Sequence, residues 1–350
     1  MANSVRHVLE MTAEELASAI VAMGEPAFRG RQVAAWVWRK HVTSFAEMTD
    51  LPAELRGRLA ADPELRILTA RAIGRSDAAD GTVKLLLELH DAECVEVVAI
   101  PEPRRLTACV STQVGCAMAC RFCATQLDGL KRNLSAGEIV EQVFQLQRAA
   151  ERRVTHVVFM GMGEPLANYD ATVSAIRAMV DPRRLGISAR QVTVSTVGLP
   201  RQIRHLAGEN LPITLAVSLH APNDALRCRL MPRAATHSLG EIIEAADEFY
   251  QSRHREVTLE YVLLAGTNDS LPCADELARI AQRLRCNVNV IRYNPVPSLP
   301  FERPGEAATE AFAARLGELG VNAHVRRSRG LDVAAACGQL RQAAGSASTR

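Results

Sequence analysis

"STQVGCAMACRFCATQLDG", residues 111–129, places Cys116, Cys120 and Cys123 in one short loop with no fourth cysteine beside them. The spacing is Cys-x3-Cys-x2-Cys, directly after the apolar run "LTACVST" (106–112). Structural zinc sites want four ligands, usually as two separated pairs. His156 and His220 lie elsewhere in the chain and could supply a fourth, so zinc is one reading. An iron–sulfur cluster is the other: thiolates hold such clusters, normally four for a [4Fe–4S] cube. Three ligands leave one iron open, able to bind a substrate through an amino and a carboxylate group on adjacent carbons.

Outward from this loop the pattern is a strand–helix alternation. "LTACVST", "THVVFMG", "QVTVSTV", "ITLAVSLH", "EVTLEYVLL", "NVNVIRYN" and "NAHVRRS" read as strands. Between them "SAGEIVEQVFQLQRAAE" and "SLGEIIEAADEFYQSRH" read as helices, each opened by a Ser with Glu three residues on, a capping-box register. "CADELARIAQRL" and "TEAFAARLGELG" continue the series. Alternating units of this kind give parallel strands with helices packed outside, and six or seven of them form a full or partial (β/α) barrel with its site at the carboxyl ends of the strands. Upstream, "TAEELASAIVAMG", "GRQVAAWVWRK" and "PAELRGRLA" read as helices, with Trp36 and Trp38 at a core or interdomain contact; "TVKLLLELH" and "CVEVVAI" read as antiparallel strands. The expected class is therefore α/β: a helical N-terminal domain over 1–62, a short β extension over 63–104, a (β/α) core over 105–340 and a disordered tail over 341–350.

The 350 residues are 48% hydrophobic and only 4% aromatic, so the core must be built mainly from Ala, Leu, Val and Ile. A net charge of +2 permits nucleic-acid binding without demanding it, and a basic surface would have to come from local clusters such as "PRRLGISARQ" and "VRRSRG". The first 20 residues carry acids and no apolar run, so no secretory signal is read there. No stretch has the length of a membrane helix. The expectation is a cytoplasmic protein, in which nine cysteines are not a disulfide framework. Cys94, Cys228, Cys273 and Cys286 read as small buried hydrophobes.

Companion motifs end the successive strands. "GMGEP" (161–165) brings Gly163 and Glu164; "VTVSTVG" ends with Ser195; "AVSLHAPND" carries Ser218, Leu219 and His220; "RYNP" carries Asn294. Each alone is a turn-capping signal; the repetition at four strand ends points to a ligand. Cys109 lies on the first strand, Cys337 in "RGLDVAAACGQL", and Glu96 interrupts the apolar run "CVEVVAI".

Assembled, these residues resemble the RlmN/Cfr family of radical S-adenosylmethionine (AdoMet) RNA methyltransferases. The resemblance runs from "FRGRQVAAWVW" to "AACGQL" and rests on "CVSTQVGCAMACRFCAT", "GMGEPLANYD", "LAVSLHAP" and "RGLDVAAACGQL". It departs at "CATQLDGL", beside the cysteine loop. It implies a radical-SAM partial barrel, with a [4Fe–4S] cluster on Cys116, Cys120 and Cys123, and AdoMet held by Gly163, Glu164, Ser195, Ser218, Leu219, His220 and Asn294. Cys337 would carry a methyl group from one AdoMet, and a second AdoMet would supply the radical. Glu96 would accept a proton from the adenine, and Cys109 would release the methylated RNA by forming a transient disulfide with Cys337.

An electron-poor adenine carbon such as C2 is a weak nucleophile toward a sulfonium methyl, so a covalent route is needed. The implied reaction is C2 methylation of an adenosine in 23S rRNA at the peptidyl-transferase centre, and of the adenosine 3′ of the anticodon in some tRNAs. The alternative within the family is Cfr-type C8 methylation, and outside it a non-catalytic zinc RNA-binding module. The implied partners are 23S rRNA, tRNA, an electron donor such as flavodoxin or ferredoxin and a disulfide reductant, with the chain a monomer and no membrane involved.

Overall fold

A computed structural model describes residues 6–341. The N-terminal part contains β1 (Arg6–His7), α1 (Ala13–Ala22), α2 (Phe28–Lys40), α3 (Ala53–Ala61) and β2 (Leu65–Arg66). β1 pairs in parallel with β2, so the helices are a closed loop of chain. α1 begins with the expected capping box, Thr12 with Glu15. Gly30 explains the tight α1–α2 packing, since a Cβ there would stand 2.7 Å from the backbone of Ala17. Trp38 makes the interdomain contact: it is buried, edge-on to Phe144, with ring centroids 5.8 Å apart.

The remaining elements are β3 (Arg71–Asp77), β4 (Val83–Glu88), β5 (Cys94–Glu102), β6 (Arg105–Cys109), β7 (Gln113–Gly115), β8 (Leu130–Asn133), α4 (Ala136–Ala150), β9 (His156–Phe159), α5 (Tyr169–Val180), β10 (Val192–Thr196), α6 (Pro200–Gly208), β11 (Thr214–Ser218), α7 (Asp224–Leu230), α8 (Leu239–Arg253), β12 (Val257–Leu263), α9 (Leu271–Ala281), β13 (Cys286–Arg292), α10 (Glu306–Glu318) and β14 (Ala323–Arg326). One ten-stranded sheet runs β14-β13-β12-β11-β10-β9-β6-β5-β4-β3. From β6 to β14 all pairs are parallel and in chain order, the arrangement of a partial (β/α) barrel. β3 to β5 extend it antiparallel, and β5 turns directly into β6, so extension and barrel share one sheet. β3 was absent from the expected strands; its solvent-facing, arginine-rich sequence hides it.

All seven expected barrel strands are present. β12 is buried along nearly its whole length, as a parallel strand covered on both faces should be. Of the cysteines read as buried, Cys94 is; Cys273 and Cys286 are half-buried, and Cys228 is exposed on the outer face of α7. Arg341, placed in the expected tail, is held by Glu96 and Asp128; residues 342–350 lie outside the described residues. Among the described residues no helix is long and apolar enough to cross a membrane.

A buried carboxylate fastens the N-terminal part to the barrel. Glu141 of α4 accepts from Thr69 N (2.7 Å), Thr69 Oγ1 (2.9 Å), Ala70 N (2.9 Å) and Gln145 Nε2 (3.2 Å), and meets His7 Nε2 at 3.0 Å. Burial alone would raise its pKa; the hydrogen bonds and His7 outweigh it and hold the carboxyl below the ordinary range. Glu141→Ala strands those donors and should cost roughly 3 kcal/mol or more, read as a lower urea midpoint at pH 7. A depressed carboxylate stabilises above its unfolded pKa and stops doing so as pH falls through its folded one. The gap between wild type and variant should therefore narrow below about pH 4.

Candidate active site

Parallel strands all deliver their carboxyl ends to one side, and the loops there enclose a cavity of about 960 Å³, open mouth included. Cys116, Cys120 and Cys123 form one wall. The loop bearing them springs from the β7–β8 hairpin, in which Gln113 pairs with Asn133 and Val114 with Arg132. Cys116 N donates to Gly129 O (3.1 Å), closing the loop, and Arg121 N donates to Leu230 O (2.9 Å), tying it to α7. Phe122, between the second and third cysteines, is buried and packs edge-on to His220 with centroids 5.0 Å apart. Burial raises all three thiols, Cys116 to about 12.

Glu164 lines the cavity, but its carboxylate is engaged by protein: Oε1 accepts from Leu166 N (3.0 Å) and Oε2 from Val197 N (2.8 Å), clamping one strand-end loop to the next. Burial raises its pKa above the usual value despite those bonds. Gly163 sits at φ +102°, and a Cβ there would lie 2.6 Å from Gln113 Cβ, so both backbone and packing demand glycine. Gln113, which sequence reasoning missed, accepts from Glu164 N (2.8 Å) and donates to Asn133 Oδ1 (2.8 Å), joining the hairpin to the glycine loop.

Ser195 Oγ and Ser218 Oγ lie 3.2 Å apart on the cavity wall. Leu219 is buried, and its N–H donates to Glu260 O (3.0 Å), so its backbone rather than its side chain shapes the site. His220 turns in through a left-handed backbone (φ 55°), and its Nδ1 accepts from Val262 N (3.1 Å). Burial, then the nearby Arg227 charge, lowers it to about 3, so the imidazole is neutral. Asn294 is not among the cavity-lining residues; its Nδ2 donates to Cys337 O (3.0 Å).

Cys337 lines the same cavity, brought from the far end of the chain. Ala124 N donates to Gly338 O (2.7 Å) and Thr125 Oγ1 to Leu340 O (2.7 Å), fixing the C-terminal loop against the cysteine loop. Cys337 opens into the cavity and so retains exposed surface, yet dense surrounding protein, then the charge of Glu260, pushes its thiol to about 11. Cys109, at the end of β6, is buried and its thiol is raised above the ordinary range, first by burial and second by Cys337, so the two sulfurs are electrostatic neighbours. Glu96 does not line the cavity. It is buried between Lys84 Nζ (2.8 Å) and Arg341 N (2.8 Å).

The "TQLDG" departure places Asp128 against Arg341 Nε at 3.1 Å, so that loop braces the C-terminal segment. Two further residues escaped the sequence reading. Glu260 of β12 lines the cavity. Arg227 of α7 is fully buried; one Nη2 hydrogen bond reaches Val197 O, while Nε and Nη1 have no hydrogen-bond partner. Burial lowers its pKa, opposed by its nearest acidic groups Cys120, Asp224 and Glu164.

Residues 110–273 match the Radical SAM superfamily, and residues 7–65 match the ribosomal RNA large subunit methyltransferase N-terminal domain. Two curated relatives described as "Probable dual-specificity RNA methyltransferase RlmN" are each 48% identical. That of Thermosynechococcus vestitus covers 96% of this chain and 98% of its own, and that of Gloeobacter violaceus 98% and 99%. The chain belongs to the RlmN family of radical SAM RNA methyltransferases. The crystal structure of a radical SAM methyltransferase from Sphaerobacter thermophilus superposes with a TM-score of 0.92 at 43% identity, over 95% of this chain and 98% of that one.

Membership in the RlmN family implies AdoMet and a [4Fe–4S] cluster, and the residues present fit both. Three thiols face one cavity beside a buried guanidinium with two unused donors, a setting suited to a group that brings negative charge. The zinc reading finds no fourth ligand: His156 starts β9, at the end away from the site, and His220 Nδ1 accepts from Val262 N, which puts the neutral ring's proton on Nε2 and leaves no lone pair there for a metal. Among the described residues no three His, Cys, Asp or Glu side chains converge as a single-ion site.

Thr125→Val keeps the side chain's shape but removes one of the hydrogen bonds that tie the C-terminal loop to the cysteine loop. It should cost about 1 kcal/mol locally. Hydrogen–deuterium exchange should speed up in 334–341 and remain unchanged in α4.

Proposed function

We propose that this chain methylates C2 of an adenosine in 23S rRNA at the peptidyl-transferase centre, and the adenosine 3′ of the anticodon in some tRNAs, in the cytoplasm. The observation that carries the reading is the pair Cys109–Cys337, neighbouring thiols outside the three-cysteine loop, with Cys337 lining the cavity that the three cysteines line. Simple displacement at C2 needs neither of them; a route through a methylated thiol needs both.

When bound, the cluster and AdoMet supply a methyl group and one-electron cleavage of a sulfonium bond. Cys116, Cys120 and Cys123 would hold the cluster, and Gly163, Glu164, Ser195, Ser218, Leu219, His220 and Asn294 would shape the AdoMet site. Most of these act through backbone geometry or a neighbouring loop, as the engaged carboxylate of Glu164 and the Asn294–Cys337 bond indicate. Cys337 carries the methyl carbon to the base. Cys109 then bonds to the Cys337 sulfur, freeing RNA and leaving a disulfide for a reductant, while a flavodoxin or ferredoxin supplies electrons. Glu96 accepts the proton from the adenine. The same loop that bears Cys337 covers this carboxylate, through Arg341 N and through Ala334 O on Lys84 Nζ (3.2 Å). Displacement of that loop would therefore free both residues at once.

RNA is held through phosphates and shape, and the target base is turned outward into the cavity. Exposed Arg121, Arg229 and Arg233 sit on the cysteine loop, α7 and the turn after it, giving the local basic surface that the small net charge requires. Arg233 Nη1 reaches Ala117 O (3.4 Å).

Nucleoside mass spectrometry of rRNA and tRNA should lose 2-methyladenosine in a deletion strain and regain it on complementation. Appearance of 8-methyladenosine instead would overturn the regiochemistry. Cys109→Ala should accumulate protein–RNA crosslinks through Cys337, seen as a slow-migrating, ribonuclease-sensitive band; free methylated RNA at the normal rate would refute the resolving role.

A further inference from the structure

Glu260 is an acid where the fold gains nothing from one. It lies on β12 in the middle of the parallel sheet, between Ser218 of β11 and Asn289 of β13. Its neighbours Leu259 and Tyr261 are fully buried core residues, with Tyr261 stacked on Phe312 of α10. The alternation turns Glu260 the other way, into the cavity, next to Val262 two residues on. Burying a carboxylate in such a place costs several kcal/mol unless partners compensate. Among the described residues its carboxyl has one hydrogen-bond donor, Asn289 Nδ2 to Oε1 at 2.9 Å. The other oxygen is left for whatever enters.

The charged and titratable groups around it come from every packed element. Neutral His220 follows β11, Arg326 ends β14, and Cys337 comes from the C-terminal loop, with Cys123 behind it. Glu260 and Cys337 share the cavity wall, and the carboxylate is the largest charge acting on that thiol. A thiol is methylated as its thiolate. Cys337 therefore needs a proton acceptor before it can receive a methyl group. Glu96 is poorly placed for that step, since it lies outside the cavity and is paired with Lys84.

We propose that Glu260 is the base that deprotonates Cys337 for its own methylation, a step that rests on the carrier reading of Cys337. The Cys337 S–H proton passes to a Glu260 oxygen. The sulfur lone pair forms the S–CH3 bond as the sulfonium S–CH3 bond of AdoMet breaks, leaving the neutral thioether S-adenosylhomocysteine. The proton on Glu260 is then lost to solvent through the open mouth. Burial, partly offset by Asn289 and Arg326, raises the carboxyl to about 7, which matches a base working near neutral pH.

The test is Glu260→Gln, which keeps the Asn289 contact through its carbonyl oxygen. Cluster-loaded protein is incubated with AdoMet, and methyl on the Cys337 peptide is followed by mass spectrometry. The variant should methylate Cys337 roughly a hundredfold more slowly near pH 7. The wild-type rate should rise through pH 7 and level off, while the variant's should climb only toward the thiol's own range. In cofactor-free protein, iodoacetamide labelling of Cys337 reads the thiol directly. Removing the neighbouring negative charge should shift that labelling profile to lower pH. A variant that labels faster yet methylates more slowly has lost a base, whereas general damage to the site would not produce that split. Methylation at the wild-type rate across pH overturns the proposal, as does a loss fully explained by weaker AdoMet binding. Wild-type protein that never acquires methyl on Cys337 defeats the carrier reading, and this proposal with it.

Discussion

The site exists because the two ends of the barrel sequence are bonded to each other. Ala124 and Thr125, just after the third cysteine, bond Gly338 and Leu340, and Asn294 holds the carbonyl of Cys337. The first two of these contacts span more than two hundred residues, so they form only after the sheet has placed every strand end on one side. The same segment is held further at Gly330 by Asp80, at Ala334 by Lys84 and at Arg341 by Glu96 and Asp128, so its release would break these bonds together.

The rest of the cavity is built to suppress charge. Burial is the leading cause raising Cys116, Cys120, Cys123, Cys337, Glu164 and Glu260, and lowering His220. Arg227 resists the trend because a guanidinium stays charged even when buried. The protein without cofactors therefore holds thiols where thiolates are required, and loading a cluster must release protons. Such a site accepts a charged group only if its counter-charge is already in place, and Arg227 beside Cys120 answers that need.

Fold and chemistry differ in how far they were legible. Strand periodicity and Ser–Glu capping boxes carry local information, so the seven barrel strands and the helices α4 and α8 could be read directly. α5 carries an apolar stripe of Val173, Ile176 and Met179 but no capping box, so its start leaves no comparable mark in the sequence. The three-cysteine loop was legible because its ligands are neighbours in sequence. Glu260, Arg227 and Gln113 were not, because each acquires meaning only from what it faces. An acid within "VTLEYVL" is unremarkable in one dimension, and an arginine on a short helix reads as a surface residue until α7 packs over the strand-end loop at Val197 and the cysteine loop. Asn294 was legible as a site residue, but its part in holding Cys337 is visible only in three dimensions.

Glu96 and Glu260 show how one fold gives two acids different availability. Both are buried on strands of the same sheet. Glu96 is on the antiparallel extension, paired with Lys84 across the β4–β5 ladder and capped by the backbone of Arg341. Glu260 is on a parallel strand, aimed into the cavity with one neutral partner. An acid tied to a lysine and covered by a loop can act only once the loop has moved; an acid with a free oxygen in the closed cavity can act before. Because Cys337 rides on that same loop, the proposed roles acquire an order: Glu260 would take the thiol proton while the loop is closed, and Glu96 the adenine proton once it has moved. The separation also keeps the two carboxylates from competing for one proton in one low-dielectric space, where like charges would push their pKa values apart.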